Sequence, residues 1–199
     1  MKKKHSLLRR VLLSVALFLC IGGIVFLGWK KGYIYPQFEV GQKIDSLNGV
    51  YVYYNGGFSN IEGREVTPDG YNLGLKYQCV HFVKKYYYEQ LNHIMPNSYG
   101  NAKDFFNPTL KDGQINKERN LIQFSNPSST KPKVNDLLIF GETNFNAFGH
   151  IVIVSSVEEN QIEIIQQNVA SSRETFKLKV VDGKWKVMDS KVLGWLGKR

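Results

Sequence analysis

Cysteine is scarce in this sequence, which has 199 residues and only two cysteines, Cys20 and Cys79. Cys20 lies in a long apolar run near the N-terminus, apart from Cys79, so a disulfide framework is not expected. The spacings typical of zinc sites, Cys-x-x-Cys and His-x-x-x-His, are absent, and so is a glycine-rich phosphate-binding loop. We therefore predict no metal and no other cofactor. Cys79 remains as a lone thiol.

Acidic residues are missing from the first 31 positions, which hold seven of the 26 Lys and Arg residues. The other 19 basic residues share residues 32–199 with all 17 acidic ones, which leaves a net charge of +2 there. The high pI is therefore a property of the N-terminus. It does not indicate a basic surface for nucleic acid, and we expect no nucleic-acid partner.

The basic N-terminus adjoins a 19-residue run without a charge, Val11 to Trp29. This is close to the roughly 20 residues that cross a bilayer core. Five basic residues precede the run and two follow it, so the positive-inside rule places the N-terminus in the cytoplasm and everything after Lys31 outside. The prediction is a single-pass cell-membrane protein whose main domain is periplasmic or on the cell surface.

A cleaved secretory signal is the alternative for this segment. Its apolar core is typically about 7–15 residues long and ends near an Ala-x-Ala-like site. Here the run is longer and ends in Phe26-Leu27-Gly28-Trp29, which favours an uncleaved anchor. The predicted organisation is a basic tail (1–10), the anchor (11–29), a linker (30–48) and one domain (49–199).

Within that domain, Val50 to Tyr54 is predicted as a short strand or extended lead-in, and the residue pattern then predicts helices first and strands later. Gln78 to Leu91 has helical spacing of its apolar residues, and Asn101 to Phe106 can form a shorter helix before Pro108. The period then changes to that of consecutive strands: Asp136–Phe140, His150–Val157, Ile162–Asn168, Thr175–Val181 and Lys184–Met188. Helices followed by an antiparallel sheet indicate the α+β class.

Cys79 stands at the start of the first predicted helix. Unpaired backbone N–H groups and the positive end of the helix dipole favour an anion at this place. We therefore expect a lowered thiol pKa and a nucleophilic thiolate, as in cysteine hydrolases. A thiolate of this kind needs a base, and an imidazole suits that task.

Four histidines compete for the role of base. His5 is cytoplasmic under the anchor interpretation, and His93 lies in a predicted loop. His81 is two helical positions from Cys79, roughly 200° around the axis, so the two side chains diverge. His150 opens the apolar strand Ile151 to Val154, where a polar ring is otherwise out of place. A lone histidine is more often structural, but its combination with Cys79 favours His150 as the base.

The predicted strand Ile162–Asn168 supplies a group to orient the imidazole. Because side chains alternate along a strand, Gln166 and Asn168 are expected on one face. An amide oxygen can accept the imidazole N–H and fix its tautomer, although it lacks the full negative charge of a carboxylate. Other polar and aromatic residues have ordinary explanations: Asn101 and Asp104 as helix caps, Asp136 as a turn residue and Trp195 as core.

Several sequence blocks together resemble one enzyme family. They are YQCVHFVKKYY around Cys79, Tyr99–Phe106, Asn135–Phe140, Phe148–Val154, Ile164–Asn168 and Val192–Trp195. In this order and spacing, over about residues 70–197, they resemble the cysteine, histidine-dependent amidohydrolase/peptidase (CHAP) family, particularly the amidase domain of glutathionylspermidine synthetase/amidase.

The resemblance implies a papain-like fold that hydrolyses amide bonds, in many members those of peptidoglycan peptides. Cys79 carries over as nucleophile, His150 as base, and Gln166 and Asn168 as the accompanying polar residues. The family usually has glutamate where this sequence has Gln166. Gln78 and Cys79 are the candidate oxyanion-hole residues. Two alternatives remain: an amidase for a small γ-glutamyl or polyamine amide, and a catalytically weakened module that binds or scaffolds.

Overall fold

The computed structural model describes residues 2–30 and 38–198, with side chains for 9–27 and 38–198. Helix α1 covers Lys2–Lys30, and its segment Arg9–Leu27 is long and apolar enough to cross a membrane by length and composition. The side chains described in α1 are exposed. Residues 31–37, inside the predicted linker, lie outside the described residues.

The rest of the described chain contains helix α2 (Cys79–Leu91), a 3₁₀ helix (Ala102–Phe105) and twelve strands. The strands before α2 are β1 (Lys43–Leu47), β2 (Val50–Tyr53), β3 (Arg64–Val66) and β4 (Asn72–Leu75). Those after it are β5 (Gln114–Asn116), β6 (Leu121–Ser125), β7 (Leu137–Phe140), β8 (His150–Val157), β9 (Gln161–Ile165), β10 (Arg173–Val181), β11 (Lys184–Val187) and β12 (Val192–Gly197).

Eight of these strands form one antiparallel sheet in the order β11-β10-β9-β8-β7-β12-β6-β5. The pairs β1-β2 and β3-β4 form two small antiparallel hairpins beside it. The β10-β11 hairpin turns at Asp182 and Gly183, which both have positive φ as a two-residue turn of this type requires. The α+β class is thereby confirmed.

The core lies on both faces of the large sheet. Ile151 and Ile153 of β8 pack with Phe82 and Tyr86 of α2 on one face, and Val152 and Val154 pack with Trp195 on the other. Both faces of β8 are therefore buried, which explains why its sequence is a continuous apolar run and not an alternating one. Trp195 is fully buried, so its prediction as a core residue is confirmed.

The order of elements differs from the prediction. Four strands precede α2. β2 (Val50–Tyr53) matches the short strand expected at Val50–Tyr54, whereas β1, β3 and β4 were not predicted, and β1 falls inside the segment predicted as linker. β1, β3 and β4 contain three to five residues each, and Gly74 and the residues of β3 give them no clear period. Strands this short depend on hydrogen bonds to their partners, so the sequence alone gave little signal for them.

Two other predictions are confirmed with adjusted bounds. The helix predicted at Asn101–Phe106 is the single 3₁₀ turn, and Asn101 and Asp104 cap it reciprocally. Asp136 Oδ2 accepts a hydrogen bond from the backbone N–H of Lys133 (2.9 Å), as expected of a residue that fixes a turn.

Candidate active site

A sharp backbone turn delivers Cys79 to the start of α2. Tyr77 has φ 65°, a left-handed conformation that is rare for a bulky residue, and Gln78 is the extended N-cap at φ −88°, ψ 160°. The Tyr77 ring packs against Tyr53 of β2 at 5.3 Å between centroids. β4 thus passes directly into α2, with Cys79 as the first helical residue.

The pKa of the Cys79 thiol is raised, whereas the sequence predicts that it is lowered. Burial raises the pKa of its thiol to about 11, against hydrogen bonds from the backbone N–H groups of Ile151, Val80 and Cys79 itself, which favour the thiolate. The predicted lowering of the thiol pKa by the helix start is therefore wrong. Loss of water around the sulfur outweighs the N–H groups of the first turn.

His150, the first residue of β8, lies in the same pocket as Cys79. Its Nε2 is 3.0 Å from Gln166 Oε1. The Gln166 amide is itself oriented, because its Nε2 donates to the carbonyl oxygen of Ser171 (3.0 Å). Since Gln166 Oε1 can only accept, the proton lies on His150 Nε2, and Nδ1 remains as the acceptor.

Burial also lowers the pKa of His150 to about 4, although the hydrogen bond to Gln166 acts in the opposite direction. With a raised thiol pKa and a lowered imidazole pKa, both residues are neutral near pH 7. A thiolate–imidazolium pair then forms only when one proton moves from sulfur to nitrogen.

Two of the other histidines, His81 and His93, have hydrogen-bond partners away from this pocket. His81 is buried and its Nε2 is 2.8 Å from Glu65 Oε2, on the side of α2 that faces the β3-β4 hairpin. His93 is buried with its Nε2 2.9 Å from the carbonyl oxygen of Arg119. The side chain of His5 lies outside the described side chains.

β9 ends at Ile165, so the predicted strand Ile162–Asn168 is too long. The alternation argument therefore does not hold for Asn168, which sits in a turn with φ 66°. Gln166 nevertheless faces His150, and Gln167 points elsewhere and accepts a hydrogen bond from the Tyr53 N–H (3.0 Å). The turn, and not the strand period, determines where Asn168 points.

Asn168 belongs to a closed set of amide hydrogen bonds, which we call the amide ring: Asn55, Asn60, Gln78 and Asn168. Asn168 Nδ2 donates to Gln78 Oε1 (2.7 Å), and Gln78 Nε2 donates to the Asn60 carbonyl (2.8 Å). Asn55 Nδ2 contacts both the Asn60 carbonyl (3.2 Å) and Asn168 Oδ1 (3.1 Å). The ring fixes the residue that precedes Cys79.

The oxyanion-hole candidates differ in how free their donors are. The backbone N–H of Gln78 donates to the Leu75 carbonyl (3.2 Å). The N–H groups of Cys79 and Val80 belong to the first turn of α2, have no acceptor within the helix and lie beside the sulfur. These two N–H groups are the donors best placed to stabilise the oxyanion that forms when the Cys79 sulfur attacks a carbonyl carbon. Gln78 donates one of its two Nε2 hydrogens to Asn60 and keeps the other.

The pocket around Cys79 and His150 has a volume of about 520 Å³. Residues before α2 line one side, residues 98–102 another, and the β7-β8 connection a third. Several rim residues are apolar and exposed: Phe58, Ile61, Tyr99 and Phe148. Such a groove can hold an extended chain with its backbone carbonyl next to the thiol.

Sequence reasoning missed the contribution of residues 55–64 to this site. Asn55 and Asn60 complete the amide ring, and Phe58, Ile61 and Arg64 line the pocket. The only local signal was the Gly56-Gly57 turn in an asparagine-rich stretch, which identifies a loop and not a pocket wall.

In this α+β fold, a cysteine at a helix start and a histidine at a strand start line the same pocket. This arrangement is typical of cysteine hydrolases. A family model described as "CHAP domain" matches residues 68–168, just over half of the sequence. The chain belongs to the CHAP family, the cysteine, histidine-dependent amidohydrolases/peptidases, and the resemblance read from the sequence blocks is confirmed.

Two individual proteins are also similar to parts of the chain. Trypanothione synthetase from Crithidia fasciculata is 27% identical over 135 residues, 65% of this chain and 21% of that protein, so the chain spans about a fifth of that relative's length. A solved structure described as "The crystal structure of Ly7917" shares 15% identity at a TM-score of 0.35 and covers 61% of this chain and 53% of its own. A TM-score this low supports no structural argument.

Proposed function

We propose that this protein is a membrane-anchored cysteine amidase or peptidase that faces outward and hydrolyses amide bonds in peptidoglycan peptides. One observation carries the proposal: Cys79 and His150 line the same pocket in a CHAP domain, and Gln166 orients the His150 ring. The apolar helix segment Arg9–Leu27 supports the anchor.

The reaction is acyl transfer through the Cys79 sulfur. His150 Nδ1 takes the thiol proton as the sulfur attacks the amide carbonyl, and the N–H groups of Cys79 and Val80 stabilise the oxyanion. The imidazolium then donates its proton to the leaving amine. Water attacks the resulting thioester, with His150 as base, and releases the acid.

Gln166 and Asn168 have positioning roles in this scheme. Gln166 keeps the His150 ring in the tautomer that leaves Nδ1 free, and Asn168 holds Gln78 through the amide ring. Gln166 provides geometry without a full charge, so it stabilises the imidazolium less than a carboxylate does.

The similarity to trypanothione synthetase favours one alternative, the amidase that cleaves a small γ-glutamyl or polyamine amide. The glutamine at position 166 favours another, a binding or scaffold module with weakened catalysis. The outward orientation argues for peptidoglycan over a cytosolic thiol metabolite.

The test is digestion of purified peptidoglycan by the full chain in detergent, with the released fragments identified by mass. Cys79→Ala and His150→Ala should each abolish cleavage, whereas Cys20→Ser should leave it unchanged. Cleavage that persists in Cys79→Ala would refute the mechanism. Cleavage of a γ-glutamyl polyamine amide but not of peptidoglycan would favour the small-amide alternative, and the absence of both would favour the scaffold.

A further inference from the structure

Arg64 is the one charged side chain among the described residues that line the pocket. It opens β3 and pairs with Leu75, the last residue of β4, which leads directly into the Cys79 turn. Its position therefore depends on the same hairpin that delivers the nucleophile. The remaining lining residues are apolar, small or amide side chains, apart from Cys79 and His150.

The Arg64 guanidinium has donors to spare. Its Nη1 donates to Asn72 Oδ1 (2.8 Å), and its central carbon lies 5.8 Å from the centre of the Tyr99 ring. A guanidinium carries five N–H donors. No carboxylate pairs with it among the described residues. The two acidic residues nearest to it in sequence bond elsewhere: Glu62 to Asn60 (2.9 Å), and Glu65 to His81 and Lys85.

Two further basic side chains lie behind the pocket wall formed by residues 98–102. Lys84 is fully buried in α2, and its Nζ donates to the carbonyl oxygens of Asn72 and Ser98. Arg119 is 1% exposed and donates to the Tyr99 carbonyl (3.1 Å). Burial and the positive charges of Arg119 and Arg64 lower the pKa of Lys84 to about 7. The carboxylates of Asp104 and Glu118 offset the charge of Arg119, so Arg64 is the cation that faces the pocket.

From this geometry we infer that Arg64, held by its hydrogen bond to Asn72 and lying over the Tyr99 ring, forms a subsite for a carboxylate group of the substrate. The favoured substrate is then a peptide that carries a free carboxylate at a fixed distance from the amide bond at Cys79. Arg64 binds the carboxylate with its free N–H pair, as guanidinium groups do. This inference rests on the proposed amidase function, since it names a feature of that substrate.

The inference can be tested without turnover, by alkylation of Cys79 with reagents of graded length. The probes are bromoacetic acid, bromoacetyl-glycine and bromoacetyl-diglycine, each compared with its carboxamide. In each case the sulfur forms a bond to the CH₂ carbon, bromide leaves, and the thiol proton passes to solvent. The protein is the full chain in detergent with Cys20→Ser, so that Cys79 is the only thiol.

We expect the acid to react faster than the amide at one spacer length, by about threefold to tenfold. Arg64→Gln should lower the ratio of acid to amide rates to about one at that spacer length, and this ratio cancels any change in the reactivity of the Cys79 thiol itself. Continued reaction of the amide reagents shows that the site is folded. Arg64→Lys should keep part of the preference. Lys179→Gln is the matched control, because it removes one positive charge from an exposed position on β10 and should keep the full preference.

A preference that is absent at every spacer length, or that survives Arg64→Gln, would overturn the subsite. The proposed function fails independently: if peptidoglycan is not cleaved but the preference is present and depends on Arg64, the subsite stands and the substrate is another carboxylate-bearing amide.

Discussion

At the scale of single residues, Gln166 shows how the surroundings fit an amide at this position. Its oxygen faces His150, while its Nε2 faces the Ser171 carbonyl (3.0 Å) and lies 3.5 Å from Glu174 Oε2. Glutamine supplies an acceptor on one side and a donor on the other. A glutamate here would place an oxygen against two other oxygens.

We predict that Gln166→Ala lowers turnover by about 10-fold to 1000-fold, because the His150 ring loses its tautomer and direction.

Gln166→Glu alone should increase turnover little, since repulsion from the Ser171 carbonyl and the Glu174 carboxylate offsets the added charge next to the imidazolium. The double change Gln166→Glu with Glu174→Gln should raise the pKa of His150, increase the rate of Cys79 alkylation near pH 7 and extend the ion pair to higher pH. Rates and alkylation profiles against pH check this; indifference to Gln166→Ala would exclude Gln166 from the site.

The lowered pKa of His150 also predicts a pH dependence of stability. The unfolded imidazole takes up a proton near pH 6.5, whereas the folded one does so only near pH 4. Between these values the unfolded state binds more protons, so the free energy of unfolding falls as the pH drops from about 6.5 to 4, by roughly 2–3 kcal/mol. Urea unfolding at pH 7.5 and 4.5 measures the loss.

His150→Gln is the control for that measurement, since glutamine does not titrate. The variant should lose less stability over the same interval, while His81 and His93, whose pKa values burial also lowers, continue to contribute. An identical loss in parent and variant would show that His150 is not the group responsible.

At the scale of elements, the site depends on three connections brought together by a few amides. The loop after β2 carries Asn55 and Asn60, the β4-α2 turn carries Gln78, and the turn after β9 carries Asn168. The Asn55 Nδ2 faces three acceptors: the Gly57 carbonyl, the Asn60 carbonyl and Asn168 Oδ1. Only a donor satisfies this position.

Asn55→Asp should therefore be disruptive although it changes the size of the side chain little. It replaces the donor by a carboxylate oxygen in a buried place, and we expect a loss of about 1–3 kcal/mol in the free energy of unfolding. Because the ring holds the loop that carries Phe58, KM should rise more than kcat falls. Asn160→Asp, at an exposed turn, is the control and should change neither. Equal behaviour of the two variants would refute the role of the ring.

At the scale of the whole molecule, α1 and the domain are distinct in chemistry. From Val11 to Leu27 the side chains of α1 are exposed and mostly apolar, whereas the domain buries its apolar residues on both faces of its sheet. Exposed apolar side chains over the length of a bilayer core are stable in lipid and not in water.

We predict that a reporter fused after Arg199 is active only outside the cytoplasm. The reason is the excess of basic residues before the apolar run, five against two after it. An N-terminal sequence of the mature protein that begins near residue 30 would show a cleaved signal in place of an anchor. A reporter that is active in the cytoplasm would refute the orientation itself.

Much of this protein follows from the sequence alone. The start of α2 at Cys79, the strand that begins at His150, the caps of the 3₁₀ helix and the α+β class all depend on local patterns, because helix ends, turns and apolar runs are set by neighbouring residues. The family membership is likewise carried by blocks that are continuous in the chain.

Tertiary structure decided the rest, for a common physical reason. The strands β1, β3 and β4, the amide ring and Arg64 in the pocket wall depend on contacts between residues distant in sequence, such as Asn55 and Asn168. The pKa of Cys79 is the clearest case. The helix start is local and favours the thiolate, but desolvation depends on everything packed around the sulfur, and it is the larger effect.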